Sequence, residues 1–470
     1  MHGPAGVTGG TDATGADGRP TDELSLRELF DLNIYWLAIN LLWGALGLAL
    51  LPILMIDLVC HGNEACTDPT PILGGLSVGK GVAEAIIVNL GALVAILVQP
   101  TVAAISDHWS SRIGRRKPFI IVGTLLDMVF LIGLYLAGAW IGILVFYVLL
   151  QFSSNFAQGP FQGYMPDLVP AKQVGLASGL MGLMILLGVG GGAMLVALFN
   201  NVFHNARAVV FVIMAAEFIT MTITVLRVRD GRQGIPRGDR SWLRIGLSAW
   251  GTDILREHSY LWMLGSRLFL LMTGGSLIAI AFFYMQDSFG LSREEALSLT
   301  FAASVLIIVF GAIATVPSGL ISRRLGKKRT IYIAAAIGFV GMAMLVWSPS
   351  PTISLVFVVL VGVGSGAFLA VDWALMTDII PKAESGRYMG ISNVVTGASG
   401  ALAAAIGLVI VDIGNQAVGF GAGPRLAYLV AASFYVIGSL LLTRVDERRR
   451  EDPAVVPGEV APGPVAPAAG

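Results

Sequence analysis

Four amides stand in one row: Gln151, Asn155, Gln158 and Gln162, spaced i, i+4, i+7 and i+11. On an α-helix that spacing puts all four on one face. An amide both donates and accepts hydrogen bonds, so such a face suits a hydroxyl-rich solute in a dry cavity. The competing reading is a polar seam between two helices. Asn40 and Asn89 are single amides of the same kind. A second group comprises ionisable residues inside apolar stretches: Asp127, Glu217, Arg267 and Asp372. Charge is costly there, so each is a candidate for solute or ion binding. Asp372 precedes Trp373, which pairs a charge with an aromatic platform for a ring-shaped solute. Asp127, Glu217 and Asp372 are the candidates for carrying a coupling ion. Arg267 reads either as a solute ligand or as half of an internal ion pair.

A third group is the tract from Val98 to Ile120, whose centre holds Asp107, Arg112, Gly114, Arg115, Arg116 and Lys117 between apolar flanks. Basic residues cross a bilayer poorly, so this centre reads as a cytoplasmic turn between two membrane helices. Asp107 ends the first of those helices, where the helix dipole disfavours an acid. It therefore needs a cation, and the nearby arginines supply one. A weaker copy follows, with Arg324, Gly326 and Lys327, although Gly319 replaces the aspartate.

The elements that must position these groups are membrane helices. The chain has 470 residues, 55% hydrophobic and only 13% charged, about half the charged fraction of a soluble domain. Apolar runs predict twelve spans, near 33–56, 82–105, 118–138, 140–165, 175–199, 207–227, 260–284, 297–321, 330–347, 352–376, 388–412 and 424–443. With both termini inside, 25 of the 30 Lys and Arg residues lie on the cytoplasmic side and 4 on the other, which sets the orientation. Gly114 and Gly326 are 212 residues apart. Asp167 and Asp378, Pro170 and Pro381, and Gly175 and Gly386 are each 211 apart. Six spans separate each pair, so the halves share one orientation. The expected fold is an all-α membrane protein of twelve transmembrane helices in two parallel six-helix repeats. Its parts are a disordered N-tail (1–24), a first bundle (25–227), a cytoplasmic linker (228–259), a second bundle (260–445) and a disordered C-tail (446–470).

The tract's residues Val98, Gln99, Pro100, Val102, Ser106, Asp107, Ser111, Arg112, Gly114, Arg115, Arg116, Pro118, Phe119 and Ile120 resemble the signature loop of the major facilitator superfamily. Within it they resemble the glycoside–cation symporters, including the plant sucrose–proton symporters and their bacterial relatives. Trp43, Pro52, Asn155, Gln158, Gly159, Pro160, Asp167, Asp287 and Gly290 extend the likeness. The resemblance implies alternating access, cation symport and a cytoplasmic gate formed by Asp107, Arg112, Gly114, Arg115, Arg116 and Asp167, repeated by Arg324, Gly326, Lys327 and Asp378. It also exposes a departure. Where the sucrose symporters carry an acid and, eleven residues later, an arginine, this chain has Gln151 and Gln162. Both charges are gone together, and with them the family's fourth-span proton carrier.

The expected function is therefore secondary transport of a small polar solute, a sugar or glycoside, across the cytoplasmic membrane, with a cation as co-substrate. An efflux carrier for an amphipathic compound and a transport-inactive sensor of the same fold remain open. The zero net charge gives no sign of nucleic-acid binding, and a monomer in the bilayer is expected. The glycine runs Gly188–Gly192 and Gly362–Gly366 lack a P-loop lysine and read as helix packing, not phosphate binding. Cys60 and Cys66 are too few for a structural zinc site, and either a small disulfide or two free thiols fits them. No cofactor, metal or catalytic constellation is expected, so the chain does not read as an enzyme.

Overall fold

The computed structural model describes residues 22–63, 70–73, 76–170, 173–231, 236–248, 250, 257–379 and 385–446. Twelve helices among them are long and apolar enough to cross a membrane. They are α1 (Leu26–Leu58), α2 (Lys80–Asp107), α3 (Lys117–Leu136), α4 (Trp140–Gln162), α5 (Val174–Asn201) and α6 (Val209–Arg227). The second six are α7 (His258–Phe289), α8 (Arg293–Leu325), α9 (Lys327–Val346), α10 (Pro351–Ile379), α11 (Ser385–Ala417) and α12 (Ala422–Leu442). Both terminal tails, Cys66 and the side chains of Trp373 and Asp378 lie outside the described residues.

Local sequence explains the helix ends and one irregularity. Ser25 and Glu28 form a capping box at the start of α1, and Ser292 and Glu295 form another at α8, each satisfying free N–H groups of a first turn. Helix α1 is about 50 Å long at 1.5 Å per residue, well beyond the apolar layer. It widens to a π-helical turn at Leu46–Leu50, just before Pro52. A proline lacks the N–H for the preceding turn and crowds its carbonyl, and a wider turn relieves both problems.

The pairings recur six helices apart. Helix α1 packs on α5 and α6, as α7 does on α11 and α12. The α2–α4, α3–α4 and α3–α6 contacts return as α8–α10, α9–α10 and α9–α12. Between halves, α2 meets α11 and α5 meets α8, again exchanged by the repeat. The glycine runs serve the closest approaches. A Cβ at Gly188 or Gly192 would strike the α1 backbone at Leu37 or Leu41, and one at Gly362 or Gly366 would strike α8 at Ile307 or Gly311. Leu93, Val129, Phe218, Ile313, Val356 and Leu440 are exposed, as an apolar face toward lipid requires.

Four short elements fall outside the apolar-run pattern. Strands β1 (Thr70–Leu73) and β2 (Leu76–Val78) form an antiparallel hairpin between α1 and α2. Tyr164–Leu168 adds one turn after α4. The segment between the halves, expected as a plain linker, contains a helix at Trp242–Ser248 that packs on α2. The end of the molecule carrying the hairpin is called the hairpin face below. The end carrying the α2–α3 turn is the basic face.

Candidate functional site

At the basic face, Arg116 is the hub. Pro118, one residue inside α3, sits where a missing N–H costs nothing, so the chain turns sharply and tucks Arg116 inward at 4% exposure. Its Nη2 donates to Asp107 at 2.7 Å and lies 2.8 Å from Asp167, and its Nη1 donates to the Pro160 carbonyl at 3.0 Å. Arg115 also pairs with Asp167. One arginine therefore ties the end of α2, the end of α4 and the turn after it. Gly114 has φ +129, open to glycine, and its matching Gly326 has φ +90.

Arg112 is exposed and has no ion-pair partner among the described residues. Arg324 is exposed and Lys327 half-buried. The unforeseen member is Asp230, just past α6. It accepts from the backbone N–H of Arg116 at 2.7 Å and of Lys117 at 3.2 Å, capping the first turn of α3, where an acid is favoured. Burial pushes the Tyr164 phenol well above its ordinary pKa, and the Asp230 carboxylate adds to this. Tyr164 therefore stays neutral under Arg116, whose guanidinium carbon is 5.9 Å from the ring centre.

A Cβ at Gly163 would collide with the Arg116 guanidinium. Gly163→Ala should therefore lower stability by about 1–3 kcal/mol through overpacking. The check is thermal unfolding in detergent, with Gly182→Ala, which meets nothing, as the control.

At the hairpin face the two halves are bonded directly. Lys80, at the start of α2, pairs with Asp287 at the end of α7 at 2.9 Å, and both side chains are buried. Asp287 also accepts from the Asn415 amide at 2.9 Å. Gly79 gives α2 no side-chain cap. Asp412 of α11 supplies it across the halves, accepting from Gly81 N–H at 3.1 Å and Val82 N–H at 2.7 Å. The positive end of a helix dipole is the favoured seat for that acid. Gly79 is needed there, because a Cβ would fall on the Asp412 carboxylate. Arg293 and Asp57 add a peripheral cross-half pair at 2.9 Å. None of these six side chains was expected as a site residue, and Asp287 entered the sequence reading only through the family likeness. The available signal was Lys80, one of only four cations expected on that face.

Between the two faces lie the groups singled out first. Gln151 donates to the Tyr147 hydroxyl at 3.1 Å, and Asn155 donates to the Gln151 side-chain oxygen at 3.1 Å and its carbonyl at 2.8 Å. These two amides are thus one connected unit, with Gln151 lying against α2 at Gly91. Gln158 and Gln162 are half-buried with no hydrogen bond among the described residues. Asn40 donates to the Trp36 carbonyl of its own helix at 2.8 Å, and Asn89 does the same to Ala85.

Arg267 and Asp372, read separately in the sequence, form one ion pair between α7 and α10, both fully buried. Arg267 also donates to the Thr396 hydroxyl of α11 at 3.1 Å. Asp127 accepts from the Ser153 hydroxyl of α4, and Glu217 is buried in α6. Among the described residues no group of three or more His, Cys, Asp or Glu could hold a metal. Cys60 is disulfide-bonded.

Known proteins agree with this architecture. An uncharacterized MFS-type transporter of Methanocaldococcus jannaschii is 22% identical over 71% of this chain and 80% of its own length. The human proton-associated sugar transporter A is 38% identical over 117 residues, 21% of this chain and only 15% of that protein. A solved bacterial homolog of the human lysosomal transporter Spinster, inward-facing and unoccupied, superposes with TM-score 0.67 at 14% identity, covering 91% of this chain and 98% of that one. The Major Facilitator Superfamily pattern matches residues 30–404 and 264–468. With twelve helices, a six-helix repeat and a family match over most of its length, the chain belongs to the Major Facilitator Superfamily of membrane transporters.

Proposed function

We propose that the protein carries a sugar or glycoside across the cytoplasmic membrane by alternating access, coupled to a cation, as a monomer with both termini in the cytoplasm. The basic face is then cytoplasmic and the hairpin face external. The observation that carries this reading is the one-sided closure: the cross-half bonds of Lys80, Asp287, Asp412, Asp57 and Arg293 all lie at the hairpin face. Two halves clasped at one end and free of such bonds at the other end, among the described residues, form the inward-facing half of a rocking cycle.

The amide unit of Gln151 and Asn155, with Gln158 and Gln162 unpaired below it, supports a hydroxyl-bearing solute. The partial likeness to a proton-associated sugar transporter points the same way. In the C-terminal half, the Arg267–Asp372 pair and Trp373 complete the proposed solute site. Arg115, Arg116, Asp107 and Asp167 hold the cytoplasmic ends of α2 and α4 as one rigid piece during rocking.

Counterflow of labelled disaccharides into proteoliposomes tests the reading. Exchange should be saturable, and Gln151→Leu should lower it about five- to a hundredfold in protein that remains folded. An amide left without its partner in a dry site costs about 1–3 kcal/mol, which predicts that size of loss. Absence of exchange with any mono- or disaccharide, alongside extrusion of an amphipathic dye, would replace sugar uptake with efflux.

A further inference from the structure

We infer that the linker helix Trp242–Ser248, with the arginines just before it, is a docking surface for anionic phospholipid at the basic face. The surface is independent of the solute carried. Its placement on the cytoplasmic leaflet rests on the orientation proposed above.

The linker helix packs on one side. Ile245 is buried, and Gly246 lies against Thr101 and Ile105 of α2. Arg240 fixes the approach: its Nη2 is 3.1 Å from His108 Nε2, and the other nitrogen of that ring, Nδ1, is 3.0 Å from the Ala104 carbonyl. The outer side is apolar and bare. Leu243 and Leu247, four residues apart on one helix face, are 73% and 59% exposed.

What covers these leucines is the bilayer, because their helix continues the lipid-facing side of α2. There Leu90, Leu93, Leu97 and Thr101 stand at i, i+3, i+7 and i+11, on one face, and the three leucines are exposed. The opposite face packs on α4 through Gly91 and Gln99, so the leucine face looks into the acyl chains. Thr101 ends that row, and the linker sits on it: Trp250 Nε1 donates to the Thr101 hydroxyl at 3.3 Å. Thr101 also comes 21 residues after Lys80, about 32 Å along the helix. That is about one apolar thickness from the hairpin face. The linker helix therefore lies where acyl chains give way to headgroups. Trp109 and Trp242, whose ring centres are 5.6 Å apart, suit that level. At such a boundary an amphipathic helix lies in the membrane plane, with leucines toward the chains and cations toward the headgroups.

Charge selects the kind of lipid. Residues 236–248 carry Arg237, Arg240 and Arg244 against one acid, Asp239, and all four are exposed. The Arg237 guanidinium carbon is 5.1 Å from the Trp242 ring centre. The Arg244 side chain makes no bond among the described residues. A guanidinium offers paired N–H donors that match the oxygens of a phosphate. A zwitterionic headgroup cancels its own phosphate charge, so a surplus of arginine favours an anionic one.

Two measurements on the full-length protein test the surface. In native mass spectrometry of detergent-purified protein titrated with phosphatidylglycerol or phosphatidylcholine, phosphatidylglycerol should be held more tightly. Arg240→Gln combined with Arg244→Gln should weaken its retention about thirtyfold, the effect of two cations at an anionic surface. Arg324→Gln combined with Arg329→Gln, at two exposed arginines of the second bundle, should not. Equal retention of the two lipids by the wild type, no loss in the linker variant, or an equal loss in both double variants overturns the site. In liposomes, a nitroxide at Leu243→Cys should be relaxed by oxygen and not by an aqueous nickel chelate, and one at Asp239→Cys should show the reverse. A label at 243 reached by the chelate would leave the leucines to a soluble partner, and one reached by neither reagent would place a second copy of the chain there. Both outcomes overturn the lipid assignment. Neither measurement involves a solute, so each is decided separately from the carrier reading.

Discussion

Lys80→Met should throw the protein open at the hairpin face. The ammonium is buried, it neutralises Asp287, and it sits near Asp412. Without it Asp287 keeps only the Asn415 amide among the described residues, and Asp287 and Asp412, both of the second bundle, are left as neighbouring acids with no cation from the first bundle between them. Breaking a buried pair from one side costs about 3–5 kcal/mol, all of it borne by the closed state, since water reaches Asp287 once the halves part. The ratio of closed to open should fall by about two to four orders of magnitude. Spin labels at the exposed positions 63 and 418, one in each half, read the result as a longer distance. Arg207→Met is the control, because among the described residues Arg207 bonds only the Ala137 carbonyl, within its own half. A Lys80→Met distance identical to wild type would mean the pair does not hold the face shut.

Asp372→Asn should give the largest loss of stability. It leaves Arg267 charged, 1% exposed and opposite a neutral amide. The expected cost is about 3–5 kcal/mol, seen as a large drop in apparent Tm and in folded yield. Arg267→Met combined with Asp372→Leu removes both charges and should recover most of that loss, although the double variant should not transport. A stable single variant would show that the guanidinium has another counter-ion in the interior.

Much of this molecule could be read from residue order, and the reason is physical. Lipid demands about 20 apolar residues per crossing, so each expected run falls within or close to one helix. Runs mark where lipid is, however, and helices continue past it. Thus α7 and α8 extend to Phe289 and Leu325, beyond the runs that announced them. Asp127, Glu217, Arg267 and Asp372 stood out because buried charge is rare in membranes. The pairing of two of them did not, since nothing in order alone joins Arg267 to Asp372, more than a hundred positions away.

The hairpin-face clasp was the least legible part. Lys80 and Asp287 lie 207 positions apart and Asp412 caps a helix 331 positions away, and each sits at a helix end, where a charged residue usually means only water. The basic face was easier, because Asp107 and Arg116 are neighbours in sequence. Asp230 escaped notice there because it looks like one more polar residue in a loop.

The segment joining the halves is not shared equally between them. Asp230 and the Gly231 carbonyl bind the α2–α3 turn, Gly246 presses on Thr101 and Ile105, Trp250 reaches the Thr101 hydroxyl at 3.3 Å, and Trp242 stacks near Trp109. It is built as an outer brace of the first bundle. A gene cut into two co-expressed pieces should therefore be divided between Trp250 and Glu257. Cutting at Val228 would strip the first piece of its brace and hand the second a greasy helix with nothing to rest on.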